Sequence, residues 1–312
     1  MNYEKRIDEE TWAFIQKASS FSPDDGTEQG IGAQRAQYNA MAAAFRQPRS
    51  DLIEVTERTV GALHVSVRIY TAGDPTRTVM YCHGGGFVLG DLNSHDDICC
   101  EICEQTGYRV VAVDYRLAPE EQHPAQFNDA WSVLEWIAQT YDDGGVVLAG
   151  DSAGATLCAC VAHHARGRLD VVMGQVLIYP ALGGDPSLPS YSEHAQAPML
   201  TRDDMAFYSD IRTGGAAPTA DPTYAPLQDS DFSGLPPTVM FSADCDPIRD
   251  DCAAYRDAIK AAGGQVHWVN ETGLVHGYLR ARHSVQRARD SFERITLAIE
   301  GLGQEIWPYD DD

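Results

Sequence analysis

The stretch Val146-Val147-Leu148-Ala149-Gly150-Asp151-Ser152-Ala153-Gly154 decides how this chain is read. Four apolar residues without alternation suit a parallel strand covered on both faces. Gly-x-Ser-x-Gly comes next, and an Ala-rich helical pattern follows it. A serine on a tight strand-to-helix turn exposes its hydroxyl, and glycines flank it because the turn is strained and crowded. The helix N-terminus adds partial positive charge beside that hydroxyl. Ser152 is therefore the candidate nucleophile. The pentapeptide alone could be an ordinary glycine-rich turn; the strand before it and the helix after it argue otherwise.

Similar apolar runs lie on both sides: Val79-Met80-Tyr81-Cys82, Val110-Val111-Ala112-Val113, Val176-Leu177-Ile178-Tyr179, Thr238-Val239-Met240-Phe241 and Val266-His267-Trp268-Val269. Helical patterns separate them, one with Ile98, Ile102 and Cys103, another with Phe127, Ala130, Trp131, Leu134 and Ile137. Strand–helix alternation at this spacing implies a doubly wound parallel sheet. Two alternating runs come earlier, around Ile53–Glu57 and Leu63–Ile69 with Gly61 between them. They read as an antiparallel edge pair with one wet face. Residues 1–50 are helix-like, broken at Ser22-Pro23-Asp24-Asp25-Gly26. Residues 183–226 are interrupted by proline, with one helix that Thr201 would cap. A helix near 250–262 and a closing helix from about 279 to 300 complete the pattern, and the chain ends in the acidic tail Asp310-Asp311-Asp312.

A serine nucleophile needs a base and an acid to orient it. In the strand-turn-helix context of Gly-x-Ser-x-Gly the chain order is Ser, then Asp or Glu, then His. Asp244 and Asp246 follow the strand ending at Phe241, and His276 follows the strand ending near Val269. Both loops lie at the same sheet edge as Ser152. His276 is the candidate base, Asp246 the candidate acid and Asp244 the alternative. Asp244 could instead cap or pair with Arg249. His267, in mid-strand, reads as a packed or solvent-facing side chain. Directly after Cys82 stands His83-Gly84-Gly85-Gly86-Phe87, where glycines let backbone N–H groups approach an oxyanion closely. A dinucleotide loop is the competing reading. It fails because Gly90 is one residue too late and Glu104, where the ribose-binding acid would fall, sits in a helical pattern.

These residues resemble the hormone-sensitive-lipase-like branch of the α/β-hydrolases, in particular its bacterial acetyl-esterase-type carboxylesterases. The resemblance rests on His83–Phe87, Gly150–Gly154, Asp246-Pro247-Ile248-Arg249-Asp250 and His276-Gly277-Tyr278. Asp114-Tyr115-Arg116-Leu117-Ala118-Pro119-Glu120 and Gly90–Asp96 add to it. It implies an α/β-hydrolase fold: a mostly parallel eight-stranded sheet, helices on both faces and a helical cap. Residues 1–50 would form N-terminal cap helices, 51–182 the first part of the core, 183–226 the cap insertion and 227–312 the second part of the core. It implies a Ser152–His276–Asp246 triad and an oxyanion hole at Gly84, Gly85, Gly86 and Ala153. His83 would anchor that loop, and Asp244 stands where the family has Glu. The implied activity is hydrolysis of short-chain acyl esters, with no cofactor and no metal. Phe14, Phe87, Met199, Phe207 and Tyr208 are candidate substrate-binding side chains of the cap. A receptor of the same fold and an amidase or peptidase are the alternatives. The former is opposed by the presence of all three triad residues; the latter is not separated by the triad alone.

Charge sets the remaining bounds. Lys+Arg 23 against Asp+Glu 46 gives a net −23. Such a surface repels nucleic-acid phosphates and anionic membranes, so a small-molecule ester is the expected partner. The start of the chain is not a secretory signal, and no apolar run approaches the roughly 20 residues that span a bilayer. The 8 Cys lack disulfide spacing, and Cys100-x-x-Cys103 has no second pair for a metal. Free buried thiols and a cytoplasmic location are expected. A homodimer through an edge strand or the last helix is compatible with the sequence.

Overall fold

The structure, a computed structural model, describes residues 2–22, 30–142 and 144–309. Most of the breaker at residues 22–26 and the whole acidic tail lie outside the described residues. The apolar runs form strands β1 (Glu54–Val60), β2 (Val65–Thr71), β3 (Thr78–Cys82), β4 (Arg109–Asp114), β5 (Val146–Asp151), β6 (Val172–Ile178), β7 (Thr238–Cys245) and β8 (Val266–Val275). They make one sheet in the order β1-β2-β4-β3-β5-β6-β7-β8. β2 runs antiparallel to both β1 and β4, and every other neighbouring pair is parallel.

The helices are α1 (Glu9–Ser19), α2 (Ile31–Phe45), α3 (Asp96–Thr106), α4 (Ala125–Thr140), α5 (Ala153–Ala165), α6 (Pro189–Glu193), α7 (Arg202–Thr213), α8 (Arg249–Ala261) and α9 (Gln286–Gly303). One face of the sheet is covered by a core that includes Phe14, Ile98, Ile102, Ile295 and Ile299. The other is covered by one that includes Leu134, Leu157, Tyr255 and Ile259. Coverage on both faces is why β3, β5 and β7 are buried at every position.

The strand order positions the site. β3 lies between β4 and β5, so the chain passes to opposite sides of β3 in successive crossovers, and a crevice opens beyond the strand ends there. Cys82 at the end of β3 is in register with Gly150 of β5. The glycine loop and the serine turn therefore leave the sheet side by side. At the far edge Cys245 pairs with Val275, so the residues that follow, Asp246 and His276, also emerge together.

Two expectations are corrected. The edge pair does not keep one wet face throughout: β1 is largely exposed, but on β2 Arg68 is only 6% exposed. Its guanidinium bonds Glu57 at 2.6 Å and Asp96 at 2.9 Å, and the Tyr70 hydroxyl donates to the same Asp96 at 2.8 Å. A polar residue at an outward position was thus covered through ion pairing with α3. The closing helix also begins later than 279. Tyr278–Ala281 form a separate 3-10 turn, and α9 starts at Gln286. Buried Arg282 lies between the two, bonded to Asp97 and, at 2.7 Å, to Glu101.

All eight cysteines are free and buried, with Cys100 and Cys103 on α3. No described helix is long and apolar enough to cross a membrane.

Candidate active site

Ser152 sits at φ 53°, ψ −122°, a conformation that non-glycine residues rarely adopt. Its N–H donates to the Ile178 carbonyl at 2.8 Å, which pins the turn to β6. Glycine is required on either side. A Cβ at Gly154 would lie 1.9 Å from the Cys82 carbonyl oxygen, and one at Gly150 would lie 2.6 Å from the same atom. The turn is therefore pressed against the end of β3, and only bare backbone fits between.

His276 reaches Ser152 from the edge of the sheet. Its Nε2 is 2.8 Å from Ser152 Oγ, and its Nδ1 is 2.7 Å from Asp246 Oδ2. A carboxylate only accepts, so Nδ1 carries the proton. That leaves the Nε2 lone pair facing the serine hydroxyl. Asp246 is buried, and its other oxygen accepts from the Ile248 N–H at 3.1 Å. Asp244 points elsewhere: it receives a two-point ion pair from Arg6 at 2.7 Å and hydrogen bonds from Asn270 and the Gly273 N–H. These bonds, above all those from Arg6, outweigh burial and hold its carboxyl below the usual range. Arg249 bonds Asp250 instead of Asp244. His267 stacks on Tyr309 with ring centres 3.9 Å apart, away from this cluster.

The loop after β3 closes over the turn. Gly85 has φ +128° and a Cβ there would lie 2.1 Å from the Leu89 carbonyl oxygen. Gly86 has φ +62° and a Cβ there would strike the Tyr208 ring at 2.6 Å. Gly84 departs from expectation: its N–H donates to Asp151 Oδ1 at 3.0 Å, so it has no donor left for a substrate oxygen. No protein acceptor meets the N–H groups of Gly85, Gly86 or Ala153 among the described residues.

His83 donates from Nδ1 to the Gly84 carbonyl at 2.8 Å and stacks on Tyr115 with ring centres 4.4 Å apart. The Tyr115 hydroxyl bonds the His83 carbonyl at 2.6 Å. Burial, helped by neighbouring His95, brings the His83 pKa down to about 4, so the ring is neutral near pH 7. Asp151 is the link between loop and turn. Burial alone would raise its pKa. His95, the Tyr81 hydroxyl at 2.8 Å and Arg280 more than offset that and keep it ionised.

The crevice divides into two lobes of about 430 and 390 Å³ that meet at Ser152, Gly86, Leu200 and Tyr208. Met199, Phe207 and Tyr208 line the first lobe, as expected of substrate-binding side chains. Phe87 lines the second, where its ring packs beneath Arg212. Phe14 does not reach the cleft. It is 3% exposed, lies edge-on to Phe45 with ring centres 5.2 Å apart, and belongs to the main core. Its helical period placed it on a buried face but could not say which one. α1 supplies core through Phe14, while Tyr38 and Met41 of α2 line the cleft. Sequence reasoning passed over Arg212. Its position four residues after Tyr208 puts both on one face of α7 and would have been the signal. No cluster of three or more His, Cys, Asp or Glu side chains suited to a metal occurs among the described residues.

Comparisons with known proteins give the family. Residues 79–280 match the family model described as the alpha/beta hydrolase fold. Among curated proteins, the chain is 38% identical over 270 residues to the carboxylesterase NlhH of Mycobacterium tuberculosis, covering 80% of this chain and 82% of that one. It is 26% identical to the acetyl esterase of Salmonella typhi, covering 92% of each. Among solved structures, the hyperthermophilic esterase of Pyrobaculum calidifontis superposes with a TM-score of 0.86 at 30% identity, covering 95% of this chain and 99% of that one. The chain thus belongs to the α/β-hydrolase family, in the hormone-sensitive-lipase-like branch of bacterial carboxylesterases.

Proposed function

We propose that this esterase hydrolyses short-chain acyl esters through Ser152, His276 and Asp246 by way of an acyl-enzyme. The observation that carries the reading is the single imidazole bonded at 2.8 Å to a strained serine and at 2.7 Å to a buried carboxylate. His276 Nε2 takes the serine proton as Oγ attacks the ester carbonyl. The tetrahedral oxyanion is held by the N–H groups of Gly85, Gly86 and Ala153. His276 then returns the proton to the leaving alcohol, and a water activated by the same ring releases the acid. Asp246 fixes the tautomer and stabilises the imidazolium.

Short, dissolved esters are favoured by the surface. The large exposed apolar side chains of the described residues are Leu52, Leu63, Leu297 and Ile306, and none of them lines either lobe. Nothing in that set supplies an apolar rim for docking on a lipid interface. We assign residues 31–45 and 189–213 as the cover over the cleft, on the strength of Tyr38, Met41, Met199, Phe207 and Tyr208. The eight free thiols support a reducing compartment such as the cytoplasm.

The test is a series of aryl esters of increasing acyl length, assayed with the wild type and with Ser152→Ala. Turnover should peak at short acyl groups and fall by roughly ten-thousandfold or more in the variant. A preference for long acyl groups would overturn the substrate class, and an active Ser152→Ala protein would overturn the mechanism.

A further inference from the structure

The second lobe of the cleft contains a cation without a counter-ion. Arg212 is 4% exposed. Its guanidinium carbon lies 3.6 Å from the centre of the Phe87 ring and 4.3 Å from that of Tyr224. Nη1 donates to the Tyr224 carbonyl at 3.1 Å, while Nε and Nη2 are buried with no hydrogen-bond partner among the described residues. The carboxylates nearby are already engaged. Asp221 is bonded to His123 at 3.0 Å and to Thr223. Asp251 accepts from the N–H groups of Leu182, Gly183 and Gly184 and from the Tyr191 hydroxyl. Arg202, exposed at the start of the same helix, adds a second positive charge to the lining.

A cation taken out of water without an anion is among the most costly arrangements in a protein interior. Two aromatic faces recover part of that cost. They leave the two N–H groups unsatisfied, and Nε with Nη2 is the side of the fork that a carboxylate engages with two parallel bonds. The lobe that Arg212 lines also touches Ser152, so an anion there would be part of the molecule being cleaved.

We propose, resting on the ester-hydrolase reading above, that this lobe receives a free carboxylate borne by the substrate, with Arg212 as its partner. The preferred esters are half-esters of short dicarboxylic acids, or esters of short hydroxy acids, according to which arm of the ester occupies the lobe. The protein as a whole carries −23 charges and repels anions at a distance, so such a preference has to arise locally.

The test compares kcat/KM for two matched pairs at low ionic strength. One pair is the aryl half-ester of glutaric acid against its terminal amide. The other is the acetyl ester of a short hydroxy acid against that of the corresponding amide. The wild type should prefer the carboxylate by roughly tenfold to a hundredfold in one pair, the size of a charge-assisted hydrogen bond. Arg212→Gln should abolish that preference, and Arg212→Lys should keep part of it. If the Gln variant does not fold, the wild-type ratios and the Lys variant still decide. A wild type that favours the neutral member of both pairs, or a ratio unchanged in Arg212→Gln, would overturn the proposal. Cleavage of the neutral esters by the wild type tests the underlying hydrolase reading separately.

Discussion

The loops that follow β3 and β5 and the helix that faces them across the cleft are held in place by different forces. In the loops the constraint is backbone against backbone. Gly154 and Gly150 press on the Cys82 carbonyl, Gly85 on the Leu89 carbonyl, and Asp151 ties the Gly84 N–H to the serine turn. No side chain could be exchanged there without moving the sheet. In α7 the constraint is side chain against side chain. Thr201 and Asp204 form a reciprocal N-terminal cap, Ser209 bonds the Tyr224 hydroxyl at 2.9 Å, and Arg212 is the only residue of the helix that is fully buried. The difference separates two tasks. Chemistry needs atoms fixed within tenths of an ångström, which a glycine-packed turn provides. Choice of substrate needs a wall that can be rebuilt by ordinary substitution, which a lightly buried helix provides.

The two regions should differ most at Gly154. Gly154→Ala should cost more than about 4 kcal/mol or prevent folding, because the added Cβ meets a main-chain carbonyl that cannot rotate away. Chemical denaturation measures it. A near-neutral result would show that the turn yields as readily as the helix. A smaller effect comes from His83, whose pKa of about 4 in the folded protein lies below its ordinary value of 6.5. Between these values the unfolded chain binds a proton that the folded one excludes. The contribution of His83 is therefore fully present above pH 6.5 and is lost as pH falls toward 4, in total on the order of 3 kcal/mol. Unfolding curves across that window should show the decline, and His83→Asn should flatten it. The smallest effect is at the cover. Thr201→Ala removes the cap of α7 and should cost about 1 kcal/mol. Steady-state kinetics should show KM rising while kcat stays within about twofold. An equal fall in kcat would mean that α7 also holds the reacting groups.

How much could be read from the residues follows the same division. The strand runs, the sheet and the serine turn were legible because they rest on local rules: unbroken apolar stretches for covered strands and glycines where Cβ atoms cannot fit. Chain order and position after a strand nominated His276 and Asp246, and the register Cys245 to Val275 brings the residues after both strands out together. Failures came where one group answers to distant partners. Gly84 looked like a donor equal to its neighbours, but its N–H is taken by Asp151, 67 residues away. Phe14 carried the right period for a buried face and gave no sign of which surface it would meet. Arg68 read as solvent-facing until α3 brought Asp96 to it. Asp244 could not be placed without Arg6, 238 residues away, which binds it. Arg212 shares a helix face with Tyr208, four residues earlier, and that spacing marks a lining position but not the missing counter-ion.

In the proposed reaction one imidazole activates one hydroxyl. The decisive experiment exposes the wild type and His276→Asn to an aryl phosphonate and follows the modified peptide by mass spectrometry. Stoichiometric labelling at Ser152 is expected in the wild type, slowed by several orders of magnitude in the variant, with the carboxylate of Asp246 left in place. Labelling at another residue, or equal rates in both proteins, would contradict that mechanism.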